Sequence, residues 1–160
     1  MKRFIPAIVA AGAAALMLMP AGLASASPKA HAAGYKGSGR TSQGGRVALN
    51  LASSGRSIAV SVEYLVHCDN GQDFTDSVTV TGPSTPGGFR GHHLSRVKYD
   101  FTSHESGSIS GIPATLDIEI AGNIRLDTAN AKGTVQPTLT LANGNKCTSG
   151  LTPITYSARF

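Results

Sequence analysis

The stretch 57-SIAVSVEYLVHC-68 alternates apolar and polar side chains without interruption. Ile58, Val60, Val62, Tyr64, Val66 and Cys68 share one face at a period of two; Ala59, Ser61, Glu63, Leu65 and His67 share the other. A helix repeats every 3.6 residues and would scatter both sets around its axis, so the pattern predicts an antiparallel strand with one face in a core. A slip of one residue would turn every apolar side chain to water, so the register is firm and Cys68 points inward.

Working outward, similar sets recur. Val47, Leu49 and Leu51 share a face, as do Phe74, Val78 and Val80, then Val97, Tyr99 and Phe101. Leu116, Ile118 and Ile120 follow with Asp117 and Glu119 outward, then Ile124/Leu126, Leu139/Leu141, and Ile154, Tyr156, Ala158 and Phe160. Turn chemistry separates these runs at Ser54-Gly55, Asn70-Gly71, Pro86-Gly87-Gly88, Ser106-Gly107, Gly122-Asn123 and Asn143-Gly144-Asn145. The sequence therefore predicts an all-β chain, a single antiparallel β-sandwich of eight or nine short strands, with a barrel as the alternative.

The N-terminus reads as an address. Lys2 and Arg3 precede an apolar run over 4–19, and Ala24-Ser25-Ala26 offers a small-x-small cleavage site, with Ala30-His31-Ala32 a second. Residues 1–26 are expected to be a secretory signal peptide, 27–34 a short flexible segment, and 35–160 the β-domain. The apolar run is shorter than the ~20 residues of a bilayer crossing, so no membrane span is expected. The predicted location is extracellular, or associated with the cell envelope.

Cleavage after Ala26 removes two of 14 basic residues and none of the nine acidic ones, so 12 against nine leaves a charge of +3. In sequence the cations look scattered (Arg40, Arg46, Arg56, Arg90, Arg96, Lys98, Arg125), without the clustered stripe and interleaved aromatics of a nucleic-acid binder. Cys68 and Cys147 are the only cysteines, and an oxidising compartment makes a disulfide between them the expected state.

The segment 35-YKGSGRTSQGGRVALNL-51 passes from glycine and serine into an alternating run. A phosphate-binding loop needs its glycines before a helix and a closing Gly-Lys-Ser/Thr. Here Gly44-Gly45 leads into a strand, so the segment is expected to be a lead-in turn. Together with Cys68-Asp69-Asn70-Gly71, Ala131-Lys132-Gly133-Thr134, Cys147-Thr148-Ser149-Gly150 and Tyr156-Ser157-Ala158-Arg159, it resembles a loosely defined group of exported, mainly actinobacterial domains. That group has a Y-x-G-x-T-S-Q-G opening and two cysteines; this chain inserts Ser38-Gly39 within the opening. The resemblance implies an all-β fold and a disulfide, and it carries no activity.

Catalytic groupings are not evident. Gly107-Ser108-Ile109-Ser110-Gly111 places isoleucine where a nucleophile elbow needs serine. Asp69-Asn70-Gly71-Gln72-Asp73 lacks the ligand rhythm of a calcium loop and reads as a turn, with His67 able to pair with Asp69 or Asp73. Adjacent residues on a strand face opposite ways, so His92 and His93 could share a metal only from a loop. The chain has no Trp, and Tyr35 alone among its tyrosines falls outside the expected core, so aromatic sugar platforms are not advertised.

Residues 81–96 (TGPSTPGGFRGHHLSR) lack clean alternation and are expected to form a displayed loop, with Phe89, Arg90, His92, His93 and Arg96 as candidate contacts. The expected function is a non-catalytic module, without cofactor or resident metal, binding a protein or glycan partner. One alternative is a secreted protease inhibitor inserting Arg90 or Arg96 from this loop. Another is a metal-dependent hydrolase using His92, His93 and His104.

Overall fold

The computed structural model describes residues 34–109 and 111–160. The expected signal peptide and all but Gly34 of the segment 27–34 lie outside the described residues. Ten strands follow in order: β1 (Tyr35–Thr41), β2 (Arg46–Leu51), β3 (Ser57–Cys68), β4 (Asp73–Pro83), β5 (Thr85–Arg90), β6 (His93–Ile109), β7 (Ile112–Arg125), β8 (Asn130–Leu141), β9 (Lys146–Thr148) and β10 (Ile154–Arg159). A single 3₁₀ turn, Leu126–Thr128, joins β7 to β8.

All the pairings are antiparallel. Six strands close on themselves in the order β10-β1-β2-β3-β9-β8, with β8 pairing back to β10. This closure is the barrel alternative. β4 continues the wall beyond β3, while β7, β6 and β5 continue it beyond β8 as outer strands of the same sheet. Closure leaves no unpaired edge within the six-strand ring, whereas β4 and β5 keep free outer edges.

The inward face of β3 is as the alternation predicts: Ile58, Val60, Val62, Tyr64, Val66 and Cys68 are all buried. Inward sets from β2, β6, β7, β8 and β10 complete one core. Phe74 and Val78 are only half-buried, because β4 pairs with β3 alone and its other edge is free. Asn70-Gly71 and Asn143-Gly144 make the expected turns, with each glycine at positive φ. Ser106-Gly107 and Gly122-Asn123 do not: β6 and β7 run straight through them as one long hairpin that reverses at Gly111.

The expected lead-in turn at 35–45 is in fact a strand and a hairpin turn. Gly37 and Gly39 hid β1 from a reading of apolar alternation. A Cβ on Gly37 would press on the Phe160 ring, and one on Gly39 would overlap the backbone oxygen of Ser157. Both glycines let β10 lie close against β1 and close the barrel. Tyr35, expected to be free, is half-buried against the core.

The Thr41-Ser42-Gln43-Gly44 motif caps this closure. β2 pairs with β3 as far as Val62, and β9 takes up the same edge only at His67 and Cys68. In the gap the Gln43 side-chain amide stands in for a strand, donating to the Leu65 carbonyl at 3.0 Å and accepting from the Leu65 N–H at 2.9 Å. Water reaches this site, so Gln43→Ala is expected to cost only about 1 kcal/mol. The sharper readout is faster hydrogen exchange at the Leu65 amide, with distant β7 amides unchanged; an unaltered Leu65 amide would show that the plug is dispensable.

Deeper in, Tyr99, Gly122, Gly133 and Tyr156 form one cross-strand row over β6, β7, β8 and β10. The two rings lie over the two glycines, where any Cβ would collide with a phenol oxygen, and their hydroxyls hydrogen-bond to each other. Burial pushes the Tyr99 phenol up to about 12 and that of Tyr156 higher still. Large rings opposite glycine occupy the space that side chains at 122 and 133 would take.

Candidate functional site

Residues 81–96 are not an irregular loop. After β4 ends at Pro83, β5 pairs with β6 as a hairpin in register Arg90↔His93 and Phe89↔Leu94, with a bulge around Gly87-Gly88. Proline and paired glycines obscured the strand in the sequence. Pro86 is tolerated because β5 is the last strand of the sheet. The hairpin is anchored at Ser84, whose Oγ donates to the Gly55 carbonyl at 2.9 Å and whose N–H donates to the Arg56 carbonyl. Leu94 packs beside Gly55.

The candidate contacts separate on this hairpin. Phe89 is 64% exposed on β5, and Arg90 and His93 flank the turn that holds Gly91 and His92. Arg96 lies in the paired part of β6, opposite Arg125. Of the two arginines named for an inhibitor's inserted residue, Arg90 is exposed beside the hairpin turn, whereas Arg96 is held within the paired strand. His104 lies eleven residues beyond His93 on the same strand, roughly 36 Å away at the usual rise. It hydrogen-bonds to Asp117 at 2.6 Å, so the three histidines are not brought together. His67 is exposed near the end of β3 and pairs with Asp73 at 2.7 Å, one of the two aspartates within its reach in the sequence.

The outer face of β6–β8 gathers what the sequence scattered. Arg96 and Lys98 point outward from β6, Asn123 and Arg125 from β7, and Lys132 from β8. Arg96 sits opposite Arg125, and Lys98, Asn123 and Lys132 form the adjacent cross-strand row. Like charges placed directly opposite destabilise a sheet. Asp127 approaches only Arg125, at 3.6 Å.

Two shallow depressions, of about 640 and 420 Å³, adjoin at Lys98 and Asn123, which line both, and together they make up the groove of this face. Outward Ala121 keeps its floor low beside the backbones of Gly122 and Gly133, whose missing Cβ atoms face the tyrosine rings on the other side of the sheet. Thr85, Asp100 and Thr134 add hydroxyl and carboxylate groups at its side. One signal in the sequence could have exposed this cluster. Arg96 and Lys98 flank inward Val97 just as Asn123 and Arg125 flank inward Ile124, but their adjacency needs the β6–β7 register.

The fold and this face define a class: a disulfide-linked β-barrel with an extended outer sheet that carries a cationic groove. No protein-family model matches the chain, and neither a curated protein nor a solved structure matches it. Among the described residues no helix is long and apolar enough to cross a membrane.

Proposed function

We propose that the chain is an exported, non-catalytic binding module that engages an anionic glycan of the cell envelope along the outer face of β6–β8. The gathering of Arg96, Lys98, Arg125 and Lys132 around one groove is the observation that carries this reading. Four exposed cations in adjacent rows cost the sheet some stability, and a partner bearing carboxylates or phosphates would turn that cost into affinity. Asn123, Thr85 and Thr134 offer the neutral hydrogen bonds that sugar hydroxyls need. The barrel holds the groove on rigid strands, so little ordering entropy is lost on binding.

The test is titration of the protein with polygalacturonate, neutral dextran and duplex DNA. Polygalacturonate should bind with an affinity that falls as salt rises, and the Lys98→Ala/Lys132→Ala variant should weaken it at least tenfold. Equal binding of dextran, tighter binding of DNA, or an unaffected double variant would each defeat the proposal.

A further inference from the structure

A second concavity opens on a different part of the wall. β4 pairs only with β3, and β6 beyond Lys98 pairs only with β7, so their free edges face each other without a ladder. At one end Phe101 packs over Gly82. Toward the other end a cleft of about 310 Å³ penetrates between Asp76–Thr79 of β4 and Glu105-Ser106 of β6, and reaches the core. That volume is at the small end for an organic ligand.

Its lining combines two chemistries. Val78, Ala114, Leu116 and Leu139 make the interior apolar. Asp76 interrupts the otherwise apolar inward face of β4, between Phe74 and Val78, and lies in register with Tyr64. Tyr64 is 2% exposed, yet no described residue hydrogen-bonds to its hydroxyl at the cleft. Asp76 accepts only the Ser77 N–H, at 2.8 Å, and Glu105 accepts from Ser103 Oγ at 3.0 Å. Neither carboxylate has an ion-pair partner among the described residues, although the chain carries 14 Lys and Arg. Burial raises the Asp76 carboxyl above its ordinary value, and a bound cation would oppose that shift.

We infer that this cleft binds a small organic cation, an alkyl- or arylammonium whose apolar body enters among Val78, Leu116 and Leu139 while its charged head meets Asp76 and Glu105. The Tyr64 ring and hydroxyl supply a polarisable wall and a hydrogen-bond partner at the same end. A metal ion fits less well, because Asp76 and Glu105 are the only carboxylates in the lining and the interior beyond them, Val78, Ala114, Leu116 and Leu139, offers no oxygen ligands.

Calorimetric titration of the intact oxidised protein with phenethylammonium and with 2-phenylethanol, its neutral counterpart, tests the assignment. Phenethylammonium should bind at least tenfold more tightly than the alcohol. Asp76→Asn should bring it to the level of the alcohol, and Glu105→Gln should weaken it two- to threefold. Removing an inward carboxylate from an edge strand should leave the unfolding midpoint of Asp76→Asn unchanged or raised, so lost binding is distinguishable from lost fold. The Lys98→Ala/Lys132→Ala variant should bind phenethylammonium normally, which separates this site from the glycan face. Equal affinity for amine and alcohol, no heat up to about 10 mM amine, or an unaffected Asp76→Asn would overturn the inference.

Discussion

The Cys68→Ala/Cys147→Ala variant is expected to lose about 4–5 kcal/mol of unfolding free energy, the chain-entropy value for a cross-link closing so long a loop. The two cysteines lie 79 residues apart in sequence and are directly opposed in the β3–β9 register. That register is the barrel's weakest joint. β3 and β9 share only two residue pairs, His67↔Thr148 and Cys68↔Cys147, and β9 is three residues long. Elsewhere the ring is held by four or more residue pairs at every seam except β8–β9. Small domains have total stabilities of about 5–15 kcal/mol, so a loss of this size brings the variant close to unfolding at ambient temperature. Urea denaturation of the oxidised protein and the double variant would measure it. A loss below about 1 kcal/mol would mean that core packing alone closes the joint.

Alkaline pH should unfold the protein steeply between pH 10 and 12. Tyr64, Tyr99 and Tyr156 are buried, and desolvation raises all three phenols above their ordinary value of 10.0, Tyr99 to about 12. A phenol whose pKa is raised on folding holds its proton more tightly in the folded chain. Its contribution is complete below pH 10 and is lost as pH climbs toward the folded value. Each such tyrosine removes about 1.4 kcal/mol per pH unit in that window.

Tyrosinate absorbance and far-ultraviolet circular dichroism, followed together from pH 9 to 12, should show the three phenols ionising in one step with loss of strand signal. Gradual ionisation within an intact fold would show that the rings are open to water. Tyr99→Phe or Tyr156→Phe alone leaves one buried hydroxyl unpaired and should cost about 1–3 kcal/mol, whereas replacing both should be nearly neutral.

The strands with clean alternation were legible because period two is a property of consecutive residues. β3 shows all six predicted inward side chains in place, and the bridge followed from the expected oxidising compartment and the number of cysteines, in agreement with the inward register of Cys68. Of the strands that were missed, β9 is only three residues long, and β1 and β5 have glycine or proline where an apolar marker would stand. In β1, Gly37 and Gly39 make room for Phe160 and Ser157, and in β5, Pro86 and Gly87-Gly88 occupy an unpaired edge and a bulge. Each of these answers to what lies beside the strand in the sheet, not to the residues next to it in the chain.

By itself, then, the sequence determined an all-β chain, the inward faces of its strands and the partnership of its two sulfurs. Tertiary structure alone decided that the sheet closes, that Gln43 fills the gap left beside Leu65, and that cations from three strands share one groove while two unpaired carboxylates flank a cleft. The reason is physical. Which face a strand buries depends on its own side chains meeting water or hydrocarbon, but which strand lies beside it depends on ladder bonds and packing across the whole chain.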